Sequence, residues 1–228
     1  MHELTLGYRE TVTHEATARG RYIRPGGEKP RYGDVELRVE PLPRGAGFEF
    51  ACALEPASGP SPAFLPHILQ GVVETMEEGV IAGFPLVDLR VILTGGSEHN
   101  AHSSPLAFRI AASIALHDAV LAAGPVILMP VMRVEACVEA EAAGGLQREV
   151  GRRGGLILSA DPMPGGATRL TMAIPLPALL GGSSGTPPVA DWRTVVSVRF
   201  SHYERADPDL QAALLAEARK AADSSQES

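Results

Sequence analysis

The most informative stretch of the chain runs from Gly96 to Ala115 and reads GSEHNAHSSPLAFRIAASIA. Its first half is polar, and its second half is rich in alanine and other apolar residues. Ser104 is placed to cap a helix that starts at Pro105, because a serine hydroxyl accepts a backbone N–H of the first turn and proline fits the first helical position. The pattern predicts a polar loop over 94–103 followed by a helix over 106–122. The side chains expected to face the core are Leu106, Ile110, Ile114 and Leu121.

Upstream of this stretch, alternating apolar residues predict strands, and one segment has helical periodicity. The helix is predicted over 64–78, with Gly79 just past its end. The predicted strands are 8–22, 32–39 (ended by Pro41 and Pro43), 48–54 and 86–93, with a Gly/Pro-rich loop at 24–27.

The second half of the chain has a different order of elements. Strands are predicted at 132–138, 156–158, 168–174 and 194–200, with a helix at 146–153 and a final helix from Asp207 to about Ala221. The breaker-rich segment 180–192 has little helix signal. This β-α-β-β-(weak α)-β order is that of a split-βαβ, ferredoxin-like domain.

We therefore predict an α+β protein with two domains. The boundaries are 1–124 for an α/β unit, 125–206 for the ferredoxin-like domain, 207–222 for a helix that returns to the first domain, and 223–228 for a disordered tail.

Composition excludes several classes of protein. Among 228 residues, 45% are hydrophobic and 21% are charged, as in an ordinary globular protein, and no run of about 20 apolar residues predicts a membrane span. The start of the chain does not resemble a signal peptide, and Cys52 and Cys137 lie far apart in apolar segments. We expect buried free thiols and a cytoplasmic location.

The net charge of −7 argues against a nonspecific nucleic-acid binder. The distribution of charge qualifies this. Residues 19–31, RGRYIRPGGEKPR, hold five basic residues and one acid. We therefore expect one basic loop on an acidic body.

Several motifs occur in an order that resembles domains four and five of elongation factor G. The chain contains YRET at 8–11, the stretch GSEHNAHSS at 96–104, LAFRIAASIA at 106–115 and RRG at 152–154. The resemblance runs from about Tyr8 to Lys220. It is dense as far as Glu135 and thin afterwards. The family's second helix of domain five is replaced here by LGGSSGTPPVADW, residues 180–192.

The resemblance implies a domain-four-like unit with a left-handed βαβ crossover, then a ferredoxin-like domain, and a last helix that packs back on the first. It also implies that the end of domain four binds the ribosome at the small-subunit decoding region and contacts tRNA and messenger RNA. The chain has no G-x-x-x-x-G-K-[ST] motif. We therefore expect no enzyme activity in this chain, and a GTPase on another chain or on a missing upstream part.

Two groups of residues are the predicted RNA-binding and ribosome-binding site. In the first, cations would neutralise phosphates and a tyrosine could stack on a base. Its members are Arg21, Tyr22, Arg24, Lys29 and Arg31. The second is the polar loop that the resemblance assigns to the tip. Its members are Ser97, His99, Asn100, His102 and Ser103.

Other interpretations of these residues remain open. The fold could serve as a binding module for another RNA or for a protein, unrelated to translocation. A metal-dependent enzyme could use His99 and His102 with Glu98, but a third and fourth ligand are not evident. Arg152 and Arg153 could simply complement the dipole of a helix end. We predict no metal, no cofactor and no membrane partner, and the sequence leaves the oligomeric state open.

Overall fold

The computed structural model describes residues 7–24, 31–54, 59–99, 102–181 and 194–226, which divide into two compact units. The first unit takes the described residues from Tyr8 to Leu128 and from Arg205 onward. The second takes Gly7 and the described residues from Met129 to Glu204. The last helix of the chain therefore belongs to the same unit as the first half of the sequence.

The first unit is built on a four-stranded sheet with the order β2-β3-β5-β4. Strands β4 and β5 are parallel and are connected by helix α1, whereas β2-β3 and β3-β5 are antiparallel. The elements in chain order are β1 Arg9–Val12, β2 Ala16–Arg24, β3 Arg31–Pro41, β4 Phe48–Cys52, a 3-10 turn Pro62–Phe64, α1 Leu65–Glu78, β5 Leu89–Ser97 and α2 Pro105–Ala122.

Helix α2 begins as predicted, because the Ser104 hydroxyl accepts a hydrogen bond from the Ala107 amide at 3.3 Å and Pro105 opens the helix. The predicted core face was wrong. The side chains of Leu106, Ile114 and Leu121 are 37–47% exposed. The face that packs inward is instead made mainly of small residues: Ala107, Phe108, Ala111, Ala112, Ala115, Leu116, Ala119 and Val120.

Two strand glycines explain this choice of face. A Cβ atom on Gly20 would collide with the carbonyl oxygen of Ala111, and one on Gly33 would collide with that of Ala107. The helix backbone therefore lies directly on the sheet, and only small side chains fit between them. By length and composition alone α2 could cross a membrane, but this alanine face is buried in the unit, as in the core helix of a globular domain.

Glu10 is a fully buried carboxylate at the start of the first unit. Its Oε2 accepts hydrogen bonds from the amides of Val80 and Ile81 at 2.7 and 3.0 Å, and its Oε1 accepts from those of Ala82 and Phe84 at 2.8 and 3.1 Å. Four backbone donors of the loop after α1 are thus satisfied by one side chain, which fixes that loop against β1.

The second unit has the strand order β9-β6-β8-β7, and β8 is antiparallel to both of its neighbours. Because β6, β7, β8 and β9 follow one another in sequence, this is the order of a split-βαβ fold, and the predicted fold class is confirmed. Strand β6 starts in the first unit, where Leu128 pairs with Arg9. The elements are β6 Pro125–Glu139, α3 Ala140–Arg152, β7 Leu156–Met163, β8 Ala167–Pro175, α4 Leu176–Leu180 and β9 Val195–Arg205, followed by α5 Pro208–Gln226.

Several predicted element bounds were wrong. The strand predicted over 8–22 is two strands, because the amides of Thr13 and His14 both bind the Ala123 carbonyl and turn the chain. Helix α3 starts at Ala140, since its alanines and glutamates favour helix despite the glycine pair. Helix α5 continues to Gln226 beyond the predicted end, and within it the Ser224 hydroxyl donates to the Ala221 carbonyl.

The cysteine prediction was also partly wrong. Both thiols are free, but Cys52 is exposed and Cys137 is half-buried. Cys52 is the last residue of β4, which is an edge strand of the first unit's sheet. Residues 182–193, which include most of the segment 180–192, lie outside the described part of the chain.

Candidate nucleic-acid interface

Two separate segments meet at one end of the first unit's sheet. The β2-β3 pair runs up to Arg24 opposite Arg31, and the segment after β5 returns beside it. The amide of Tyr32 donates to the carbonyl of His102 at 2.8 Å, and Tyr32 forms a parallel bridge with Ser103. We call the described residues 19–24, 31–34, 97–99 and 102–103 the tip. The tip brings together both groups of predicted site residues, except Lys29 and Asn100, which lie outside the described residues.

Among the described residues of the two predicted loops, Arg24 is the last residue of β2 and residues 94–97 belong to β5. Arg21, Tyr22 and Arg24 lie in β2, Arg31 lies in β3, and Ser97 is the last residue of β5. The loop prediction failed here because the two ladders continue further than the alternation of apolar residues does. Arg21 is paired with Asp34, and Ser97 is paired with the same residue from the other side.

Asp34 lies at the centre of the tip, and its side chain is fully buried. Its carboxylate accepts two hydrogen bonds from the guanidinium of Arg19, at 2.8 and 2.7 Å, and a short one from the Ser97 hydroxyl. The hydroxyl of Tyr32 lies 2.6 Å from that of Ser97 and 3.4 Å from the carboxylate. One carboxylate therefore has partners on all three strands of the tip.

The charges of this cluster are strongly coupled. Hydrogen bonding from Arg19 lowers the pKa of Asp34 from 3.8 to about 2, and the same pairing raises the pKa of Arg19. Arg21 is more distant, with its Nε 3.6 Å from the carboxylate and 55% of its side chain exposed. The two arginines are similarly exposed, at 48% and 55%, but Arg19 makes two hydrogen bonds to Asp34, whereas Arg21 lies beyond hydrogen-bond distance of it.

His99, His102 and Ser103 are joined by hydrogen bonds, and we call these three residues the histidine turn. The amides of His102 and Ser103 both donate to the His99 carbonyl, at 3.0 and 2.9 Å, and the His99 amide donates to the Ser103 hydroxyl at 2.8 Å. The two imidazoles stack with centroids 4.5 Å apart, and the ring of Tyr32 lies 6.3 Å from that of His99. In the described part of the chain, the Nδ1 atom of His102 is buried without a hydrogen-bond partner.

The predicted site residues do not all share one surface. Side chains alternate along a strand, so Arg21 shares a face with Asp34, whereas Tyr22 and Arg24 lie on the face toward α2. Tyr22 is half-buried and packs against the apolar core, which leaves little of its ring for base stacking. Arg24 is exposed and Arg31 is half-buried.

The structure also bears on the metal-site interpretation and on the role of Arg152 and Arg153. Within the described ranges, no group of three or more His, Cys, Asp or Glu side chains could hold a metal ion. Arg152 and Arg153 both bind Glu149, at 2.7 and 2.6 Å, in the last turn of α3 and its cap. That pairing is the one expected of cations at a helix end.

Sequence reasoning missed Arg19, Tyr32 and Asp34 as members of this site. A signal was present in the order Tyr32-Gly33-Asp34-Val35, where a carboxylate interrupts a strand of buried residues. A buried carboxylate needs donors, and the arginine-rich strand before it offers them.

Comparisons with known proteins identify this chain as a module of the translation-factor class. The family profile "Elongation factor G, domain IV" matches residues 5–124, which is more than half of the chain. An elongation factor G-like protein of Thermotoga maritima is 38% identical over 216 residues, which cover 94% of this chain and 31% of that protein. Elongation factor G of Petrotoga mobilis is 38% identical over 212 residues, which cover 92% and 30%.

A solved crystal structure of a protein from Thermus thermophilus agrees with the fold. It superimposes with a TM-score of 0.79 at 30% identity, and the match covers 95% of this chain and 32% of that one. The chain belongs to the elongation factor G domain IV family, which confirms the resemblance drawn from the motifs. It spans about 30% of the length of the two curated relatives.

Proposed function

We propose that this chain is a ribosome-binding module that contacts RNA of the small-subunit decoding region through its tip, in the cytoplasm and without hydrolysing GTP itself. The observation that carries the proposal is the convergence at one sheet end of exposed arginines and the histidine turn. The proposal concerns binding alone and does not require the activity of a whole elongation factor G.

The chemistry of the tip suits an RNA backbone. Arg21 and Arg24 are exposed cations on opposite faces of the same sheet end, and the hydroxyls of Tyr32 and Ser97 on the face of Arg21 can donate or accept hydrogen bonds. The whole chain has a net charge of −7, so the surface outside the tip repels phosphate. The cations of the tip would therefore orient this end of the unit toward RNA. The mechanism is electrostatic and steric, with no bond made or broken.

Co-sedimentation with ribosomes across a salt series tests the proposal. We expect affinity to fall with salt, and the double variant Arg21→Ala/Arg24→Ala to weaken binding by roughly eightfold per lost phosphate contact at about 0.1 M salt. The matched control is Arg219→Ala/Lys220→Ala, which removes the same charge from exposed positions of α5.

The control variant should bind as the unchanged chain does. The proposal is wrong if the chain does not bind ribosomes at low salt, or if both double variants lose affinity equally. Binding of an unrelated structured RNA with the same affinity, and the same dependence on Arg21 and Arg24, would favour the alternative of a general RNA-binding module.

A further inference from the structure

We propose that Asp34 is a positioning residue, whose buried carboxylate connects the β2-β3 pair to Ser97 and, through Tyr32, to His102 and Ser103, and holds the RNA-contacting side chains in place. The inference rests on the proposed function and assigns a role within it. Asp34 itself contacts no RNA in this account, because its side chain is fully buried.

The connections of Asp34 reach both parts of the tip. On one side it binds Arg19 of β2 through two hydrogen bonds, and on the other it accepts from Ser97 at the end of β5. Tyr32 completes the link, because its hydroxyl binds Ser97 while its amide binds the His102 carbonyl. The Tyr32 amide thus binds the histidine turn to β3, and Asp34 holds the Tyr32 side chain in place through the Ser97 hydroxyl.

The Asp34 carboxylate interacts differently with Arg19 and Arg21. Two nitrogens of Arg19 donate hydrogen bonds to Asp34, so this guanidinium holds β2 and β3 together. The Nε of Arg21 is 3.6 Å away and its side chain is 55% exposed, so it can turn toward a phosphate at small cost. Removal of Asp34 would release both cations and leave the tip with more positive charge and less order.

Loss of Asp34 changes the charge and the order of the tip in opposite senses for RNA binding, and this makes the inference testable. If the tip attracts RNA only as a patch of charge, Asp34→Asn removes a negative charge and should strengthen binding. If Asp34 positions the tip, the same variant should weaken binding although the tip becomes more positive. The control Glu36→Gln removes a carboxylate two residues along the same strand. Among the hydrogen bonds of the described residues, the one side-chain partner of Glu36 is the Thr94 hydroxyl. An amide oxygen can still accept that bond.

The experiment has two measurements on the folded chain. Amide hydrogen exchange of Tyr32 and Ser103 reports the order of the tip without any ribosome, since these amides bind His102 and His99. We expect Asp34→Asn to accelerate both exchanges and to lower ribosome affinity by about tenfold, the scale of one charge-assisted hydrogen bond. Glu36→Gln should leave both exchanges unchanged, and its affinity should be equal to or higher than that of the unchanged chain.

Unchanged exchange in Asp34→Asn, or an affinity that rises, overturns the inference. If Asp34→Asn does not fold, Ser97→Ala keeps every charge and the Arg19 pair, and it should accelerate the two exchanges to a smaller extent; no acceleration overturns the inference. If the unchanged chain does not bind ribosomes, the proposed function fails, whereas the exchange measurement still decides whether Asp34 orders the tip.

Discussion

Replacement of Glu10 by glutamine tests the most densely bonded side chain of the fold. The carboxylate accepts four amide hydrogen bonds at 2.7–3.1 Å, two on each oxygen, and is fully buried. Glutamine keeps one acceptor oxygen and points an NH2 group at the other two amides, which are then left without an acceptor. Each hydrogen bond to a charged group is worth about 1.5–3 kcal/mol, so two lost bonds should cost about 3–6 kcal/mol of unfolding free energy.

The assay is urea unfolding of the unchanged chain, Glu10→Gln and the control Glu15→Gln, in which an exposed carboxylate receives the same replacement. We expect a much lower urea midpoint for Glu10→Gln and a change within about 0.5 kcal/mol for Glu15→Gln. A loss of less than about 1 kcal/mol in Glu10→Gln would refute the reasoning, because it would mean that the four amides find other partners without cost.

Three further predictions concern the packing and charge of the first unit. Gly20→Ala places a Cβ against the Ala111 carbonyl and should cost more than about 3 kcal/mol of unfolding free energy or abolish folding. In the control Gly144→Ala, on exposed α3, the new Cβ meets no atom within 4 Å and should stabilise the chain by about 0.5–1 kcal/mol. Thermal unfolding compares the two variants. Ser104→Ala removes the cap of α2 and should cost about 1 kcal/mol in urea unfolding, and no loss would contradict the cap. Because the pKa of Asp34 falls from 3.8 to about 2 in the folded chain, its stabilising contribution is present above pH 4 and is lost as the pH drops toward 2. The gap in unfolding free energy between the unchanged chain and Asp34→Asn should therefore be on the order of 1–2 kcal/mol near pH 6, reduced by the exposure of Arg19, and should close at acid pH; a gap that does not depend on pH would contradict the pairing.

The parts of the fold that the sequence predicts are those with local signals. The cap at Ser104, the end of α1 at Gly79 and the order of elements in the second unit all follow from short patterns, and the structure confirms them. The family resemblance assigned the polar loop with His99 and His102 to the tip, and the structure adds that Ser103 of this loop pairs with Tyr32 of β3.

The parts that sequence reasoning missed depend on contacts between distant segments. The large side chains of α2 suggested a core face, but Gly20 and Gly33, about 80 residues upstream, bring the helix so close that alanines face the sheet instead. The role of Glu10 depends on a loop about 70 residues away, and that of Asp34 on Ser97. No periodicity within one element could show such partners.

The most direct test of the central claim locates the tip on the ribosome. In a Cys52→Ser/Cys137→Ser background, a cysteine introduced by His99→Cys carries an iron chelate that cleaves nearby RNA by hydroxyl radicals, and a chelate introduced by Ala213→Cys on exposed α5 serves as the control. We predict that the His99→Cys probe cleaves small-subunit RNA around the decoding region and that the Ala213→Cys probe does not. Cleavage by the His99→Cys probe that is absent, or confined to RNA elsewhere, would contradict the account.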